Sequence, residues 1–145
     1  MSRWRSPGLA LAAGIGVSAG ALASPAQDYA LQCMGCHGVT AEGVPGKVPG
    51  LAHTLVQFMR SAAGRSYVLR VPGASNSVLS DAQLAEVLNW IAGHFGADQP
   101  AAPVSPFTAQ EVAAQRRTPM ASVQATRREV VKELAPTGAA PAEDY

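Results

Sequence analysis

Charged side chains are scarce in this sequence, and their scarcity narrows its possible functions. Asp, Glu, Lys and Arg make up 14% of the 145 residues, and the formal net charge is +1. Nucleic-acid binding requires a basic face, so we expect no nucleic-acid partner. The length allows one domain and an additional segment, because single domains commonly need about 100 to 150 residues.

Long apolar runs are also scarce, and the clearest one lies at the N-terminus. Arg3 and Arg5 precede an uncharged run over 8–22, and a small-x-small cleavage pattern ends at Ala23. This run is shorter than the roughly 20 apolar residues that span a bilayer, so a membrane anchor is the less favoured alternative. We predict that residues 1–23 are a cleaved signal peptide. The mature protein is then expected in the periplasm, without stable membrane insertion.

The composition changes along the rest of the chain. Residues 24–98 hold both cysteines and all three histidines, whereas residues 99–145 are rich in Ala, Pro, Arg and Glu. Closely spaced prolines over 99–106 prevent a continuous helix there. The pattern predicts a domain over 24–98, followed by an extension that consists of a linker, two short helices and a disordered tail.

No segment alternates apolar and polar residues long enough to indicate a sheet, so we predict an all-α fold. Ser80 and Gln83 form a capping pattern at the start of the clearest helix, and Thr108 and Glu111 form another in the extension. Predicted helices cover 25–32, 55–71 with an interruption at Gly64, 81–95, 108–117 and 119–134, and residues 136–145 are predicted to be unstructured. The apolar stripe of the extension is too thin to form a core alone, so its helices pack on the domain or on a partner, or stay partly disordered.

One motif carries specific chemistry, Cys33-Met34-Gly35-Cys36-His37. Cys-x-x-Cys-His is the attachment signature of a c-type haem. One helical turn presents both sulfurs to the two vinyl groups of the haem, and the adjacent histidine reaches the iron. The haem would also supply a large apolar body to a domain of only about 75 residues, which is otherwise short of core.

Three other structures could use the same cysteines. A thioredoxin-like dithiol belongs near a βαβ pattern, which the sequence lacks. A structural zinc site needs four ligands, and the two besides the cysteines would have to come from His37, His53 or His94 at irregular spacing. A stabilising disulfide would close only a very short loop. One covalently bound haem c is therefore the favoured prediction.

With these residues in view, 28–95 resembles a class I cytochrome c domain. The resemblance is carried by the attachment motif followed by Gly38, by a Gly- and Pro-rich loop that ends in Pro49-Gly50-Leu51, and by a last helix that bears Trp90. It implies that the first and last helices cross through a contact between Tyr29 and Trp90. It also implies that the Pro49 carbonyl orients His37 as an axial iron ligand.

The sequence departs from this family at the sixth iron ligand. Family members usually supply a methionine from the loop before the last helix, but residues 71–78 contain neither Met nor His. Met59 and Met120 are the candidate sixth ligands, because a methionine sulfur suits haem iron. His53 is another candidate, and an open iron with Asn76 nearby is the remaining alternative.

Three arginines lead towards that loop, Arg60, Arg65 and Arg70. An arginine can bind a haem propionate through a bidentate, charge-assisted contact. We expect Arg65 to make this contact, because it lies beside Gly64 and near the apolar Tyr67.

The expected function is one-electron transfer between periplasmic or membrane redox proteins, without enzymatic activity. The sequence offers a redox centre but no carboxylate pair and no Ser/His/Asp set. Two alternatives remain. The absent methionine favours a haem-based ligand binder or a peroxidase-like enzyme, and the extension favours a subunit of a larger dehydrogenase complex.

Overall fold

Helices form all the regular secondary structure in the described residues, as the all-α prediction requires. The structure is a computed structural model and describes Met1 and residues 23–96, 104–138 and 140–141. Its helices are α1 Pro25–Gln32, α2 Met34–His37, α3 Thr54–Phe58, α4 Ala62–Arg70, α5 Pro72–Ser75, α6 Asp81–Phe95, α7 Ala109–Gln115 and α8 Val123–Leu134, followed by a 3₁₀ turn Ala135–Thr137. In this part of the chain, no helix has the length and apolar character to cross a membrane.

Helices α1 and α6 have the predicted bounds because local caps define where they begin. Ser24 and Ser80 each accept a hydrogen bond from the backbone N–H three residues later, and a glutamine at that position bonds back to the cap. The two helices pack against each other, with the rings of Tyr29 and Trp90 5.5 Å apart. The contact implied by the family resemblance is therefore confirmed.

The predicted interruption at Gly64 is wrong, because the break between α3 and α4 lies earlier, at residues 59–61. Ser61 caps α4 by accepting a hydrogen bond from the Gly64 N–H at 3.0 Å. Gly64 itself lies inside the first turn of α4, where a side chain would overlap the Phe58 carbonyl oxygen. The glycine is needed for the close approach of the two helices.

The helices of the extension pack on the domain, which is one of the alternatives that the sequence left open. Helix α7 contacts α6 and α4, and α8 contacts α4 and α3. The extension buries five large apolar side chains in the same core as the domain: Phe107, Val112, Val130, Val131 and Leu134. Arg116 adds an ion pair with Asp81 at the start of α6, with 3.0 Å between Nε and Oδ1.

Helix α8 begins later than predicted, at Val123 rather than at Pro119, with Ser122 as its N-cap. The reason is a tertiary contact. Arg70 donates hydrogen bonds to the carbonyl oxygens of Thr118 at 3.1 Å and Pro119 at 2.5 Å, and this segment is not helical.

Several predictions concern chain ends and the linker. Residues 2–22, which make up nearly all of the predicted signal peptide, lie outside the described residues, as do residues 97–103 of the linker region. The tail predicted to be unstructured begins instead with the 3₁₀ turn Ala135–Thr137, while 139 and 142–145 also lie outside the described part.

Candidate functional site

The two cysteines lie on the helical turn that directly follows α1, with Cys33 as the N-cap of α2 and Cys36 inside it. The Cys33 carbonyl accepts hydrogen bonds from the N–H groups of Cys36 at 3.1 Å and His37 at 3.0 Å. Cys33 is partly buried and Cys36 is exposed, and both are free thiols, so the structure does not contain the alternative disulfide. A side chain at Gly35, between them, would point into open space. One helical turn therefore carries both sulfurs, with no packed neighbour at this glycine.

His37 is oriented by the loop that follows the motif. Its Nδ1 lies 2.9 Å from the Pro49 carbonyl oxygen, so we assign the ring proton to Nδ1, which donates to that oxygen. Burial lowers the pKa of His37, although the Pro49 contact acts in the opposite direction. A neutral ring with its proton on Nδ1 leaves the Nε2 lone pair free to bind a metal. The predicted contact between His37 and Pro49 is confirmed.

Backbone hydrogen bonds fix the loop that follows the motif in place close to His37. The Gly43 N–H donates to the His37 carbonyl at 2.7 Å, and the Leu51 N–H donates to the Ala41 carbonyl at 2.8 Å. Gly38 and Gly43 both have positive φ angles, which glycine adopts without steric cost. The loop is thus fixed by its own backbone, and the position of Pro49 is fixed with it.

Tyr29 links the loop to the first helix. Its hydroxyl donates a hydrogen bond to the Gly38 carbonyl oxygen at 2.5 Å, while its ring contacts Trp90 and Phe95 on α6. Burial raises the pKa of Tyr29, with smaller contributions from Cys33 and Glu42. The family resemblance implied the ring contact with Trp90 but not the hydroxyl contact, because nothing in the local pattern pairs Tyr29 with Gly38.

The alternative metal site finds no support in this geometry. Among the described residues, no three His, Cys, Asp or Glu side chains are grouped so that they could hold a metal ion by themselves. A structural zinc site needs four such ligands. The thioredoxin-like alternative lacks the sheet that it requires, since the described residues form only an isolated bridge between Val44 and Val48.

Arg65, the arginine expected to bind a propionate, instead ties the extension to the domain. Its Nε and Nη2 donate to the two carboxylate oxygens of Glu111, at 2.7 and 2.5 Å. It also donates to the carbonyls of Ser105 and Pro106 and lies over the Phe107 ring. The pKa of Glu111 is lowered, mainly by the hydrogen bond from Arg65. The expected propionate contact is therefore not the interaction that the structure gives this residue.

Arg60 differs from the other two arginines of its segment. Arg65 and Arg70 both donate to the extension, whereas the Nε of Arg60 is buried and has no hydrogen-bond partner within the described residues. A buried donor without a partner is unfavourable. An anionic group at this place would satisfy the Arg60 donor, whereas Arg65 is already bonded to the Glu111 carboxylate.

The candidate sixth ligands lie in different environments. Met59 is 4% exposed within the core, and Met120 is partly buried and packs against that core. His53 is exposed and has a left-handed backbone, and Asn76 is exposed at the end of α5. The choice among these residues stays a prediction.

Comparisons with known proteins add a family relationship. No family model matches the chain. It is 34% identical over 110 residues to cytochrome c-552 of Thermus thermophilus (strain ATCC 27634), which covers 63% of this chain and 74% of that protein. It is 33% identical over 108 residues to another cytochrome c-552 of Thermus thermophilus, which covers 62% of this chain and 82% of that protein.

Proposed function

The chain belongs to the class I c-type cytochromes, and from this premise we propose that it is an exported monohaem electron carrier rather than an enzyme. Members of this class carry covalently bound haem c, typically one per domain. One observation carries the proposal. The Pro49 carbonyl oxygen lies 2.9 Å from Nδ1 of His37, and His37 belongs to the turn that also bears both free thiols. This arrangement suits an axial ligand better than it suits a dithiol.

Three residues of the motif have a role in this proposal. Cys33 and Cys36 would hold the haem through thioether bonds, and His37 would bind its iron through Nε2. Pro49 and the loop backbone keep the imidazole in one orientation, which reduces the rearrangement that accompanies electron transfer. The bound haem supplies the one-electron couple.

An electron carrier exchanges electrons by docking for a short time with other redox proteins at an accessible edge of its cofactor. We propose periplasmic or membrane redox proteins as the partners. Export is supported by the predicted signal peptide over 1–23, and the exported protein is expected to begin at or near Ser24.

Expression with a cytochrome c maturation system tests this function. The exported fraction should contain a coloured protein that is reduced and reoxidised reversibly as a one-electron couple, because the motif provides a redox centre without catalytic groups. Spectroelectrochemical titration measures this behaviour, with a peroxide-turnover assay as the control. A colourless exported protein, or rapid peroxide turnover, would contradict the proposal.

The loop over 71–78 favours a second candidate function, small-ligand binding at an open iron, because it contains no sulfur or imidazole side chain. The same preparation separates the two functions. A low-spin ferrous spectrum that carbon monoxide does not change supports the carrier, whereas a high-spin spectrum with rapid carbon monoxide binding supports the ligand binder. If the iron is low-spin, loss of that state in Met59→Ala or Met120→Ala identifies the source of the sulfur ligand.

Arg60 is proposed as the propionate partner in place of Arg65. Replacing Arg60 with Met removes a positive charge and should lower the reduction potential, because a nearby cation favours the more negatively charged ferrous haem. Potentiometric titration measures the shift. Arg117→Met is the matched control, since Arg117 is exposed on the extension and water screens its charge. Equal potentials in Arg60→Met and the wild type would reject this assignment.

A further inference from the structure

Asp28 is a buried carboxylate that neither the fold nor the attachment motif explains. It lies on α1, is 3% exposed, and its Oδ2 has no hydrogen-bond partner in the described part of the chain. A buried ionised group without full pairing is among the least favourable arrangements in a protein interior. Arg116, another buried charged residue, has an oppositely charged neighbour in Asp81, and its Nη1 donates a hydrogen bond to the Leu79 carbonyl.

Helix capping does not account for the burial of Asp28. An acidic residue in the first turn of a helix interacts favourably with the helix dipole, but an exposed side chain does this equally well. The first N–H groups of α1 are already served by the capping box of Ser24 and Gln27. Capping of α1 therefore does not explain why this carboxylate is buried.

The position of Asp28 relates it directly to the attachment site. Helix α1 runs into Cys33, whose N–H donates to the Tyr29 carbonyl at 2.9 Å, so the helical hydrogen bonding continues from the residue beside Asp28 to the first cysteine. The side chain of Tyr29 packs on α6 and reaches the loop after the motif. Asp28 thus lies on the rigid element that carries one attachment point.

We propose that the Asp28 carboxylate lowers the reduction potential of the haem by acting as a fixed negative charge buried on the helix that leads into its Cys33 attachment point. This inference rests on the proposed electron-carrier function. A ferric haem carries one more positive charge than a ferrous haem, so a nearby anion stabilises the ferric state. Burial makes the interaction stronger than at the surface, because water and salt screen it less.

The electrostatics of the free thiol agree with this geometry. The pKa of Cys33 is raised first by burial and next by the charge of Asp28. The charge of Asp28 thus contributes to the electrostatics of the thiol that is proposed to hold the haem.

Asp28→Asn in the haem-loaded protein tests the proposal, because it removes the charge and keeps the shape. We expect the equilibrium constant for reduction to rise about tenfold, equivalent to roughly 59 mV for a one-electron couple. Spectroelectrochemical titration at low and at high salt measures it, and the shift should persist at high salt. Asp28→Ser, a smaller neutral residue, should shift the potential in the same direction.

Glu86→Gln is the matched control, since Glu86 is an exposed carboxylate on α6. Its effect should be small and should disappear at high salt, because exposed charges are screened. Haem-loaded Asp28→Asn and Asp28→Ser proteins with the wild-type potential would overturn the inference while leaving the proposed function intact. A lower melting temperature without a change in potential would likewise show a merely structural role. A wild-type chain that holds no covalent haem would overturn both proposals.

Discussion

Replacing both cysteines, Cys33→Ala with Cys36→Ala, should abolish covalent haem attachment completely. Thioether bonds are the links that survive denaturation, whereas the bond between His37 and the iron is lost when the chain unfolds. Haem staining after denaturing electrophoresis, or acid-acetone extraction, measures the covalently held fraction. The wild type should retain its haem in both procedures.

Met34→Ala is the matched control for this experiment. Met34 lies between the cysteines on the same helical turn, is partly buried and supplies no attachment atom. This variant should therefore keep its covalent haem. Retention of haem by the double cysteine variant would disprove the assignment of the attachment site, as would complete release of haem by the denatured wild type.

Truncation after Gln99 should remove cooperative folding. The extension buries five large apolar side chains in the common core, and each fully buried side chain of this kind contributes about 1.5 to 3 kcal/mol. Their sum is comparable to the roughly 5 to 15 kcal/mol that stabilises a whole domain. Far-ultraviolet circular dichroism during thermal unfolding should show a sharp transition for the full chain and none, or a broad one at lower temperature, for the truncated chain.

A single substitution examines the same packing without removing the segment. Leu134→Ala should lower the free energy of unfolding by about 2 to 5 kcal/mol, since Leu134 is 2% exposed and its truncation leaves a cavity. Lys132→Ala is the control, because Lys132 is exposed on the same helix and its substitution should change stability by less than about 0.5 kcal/mol. Equal stabilities of Leu134→Ala and the wild type would show that the extension is not part of the core.

This packing also gives Arg65 of α4 its role. Arg65 binds Glu111, which lies 46 residues further along the chain, and the same carboxylate is thereby drawn away from the capping box predicted with Thr108. Thr108 still accepts the backbone hydrogen bond from Glu111, so the cap is half formed. A local capping pattern yields here to a charge-assisted tertiary contact, which is the stronger interaction.

The sequence by itself determined those features that depend on neighbouring residues. Ser24 and Ser80 mark the starts of α1 and α6 because a cap and its partner are only three residues apart. The contiguous motif from Cys33 to His37 predicted the attachment site for the same reason, and family resemblance extended it to the contact with Pro49. The absence of alternating apolar residues was sufficient for the all-α class.

The tertiary structure alone decided which distant segments meet. Gly64 reads locally as a helix interruption, but its small size serves the close approach of Phe58. Arg65 reads locally as a free cation, but Glu111 binds it, whereas the Nε of Arg60 is a buried donor that has no hydrogen-bond partner in the described residues. The burial of Asp28 has no local signal either. Long-range packing and burial decide these roles, because an ionic group takes the partner that the fold brings within reach, and the local sequence contains no record of that partner.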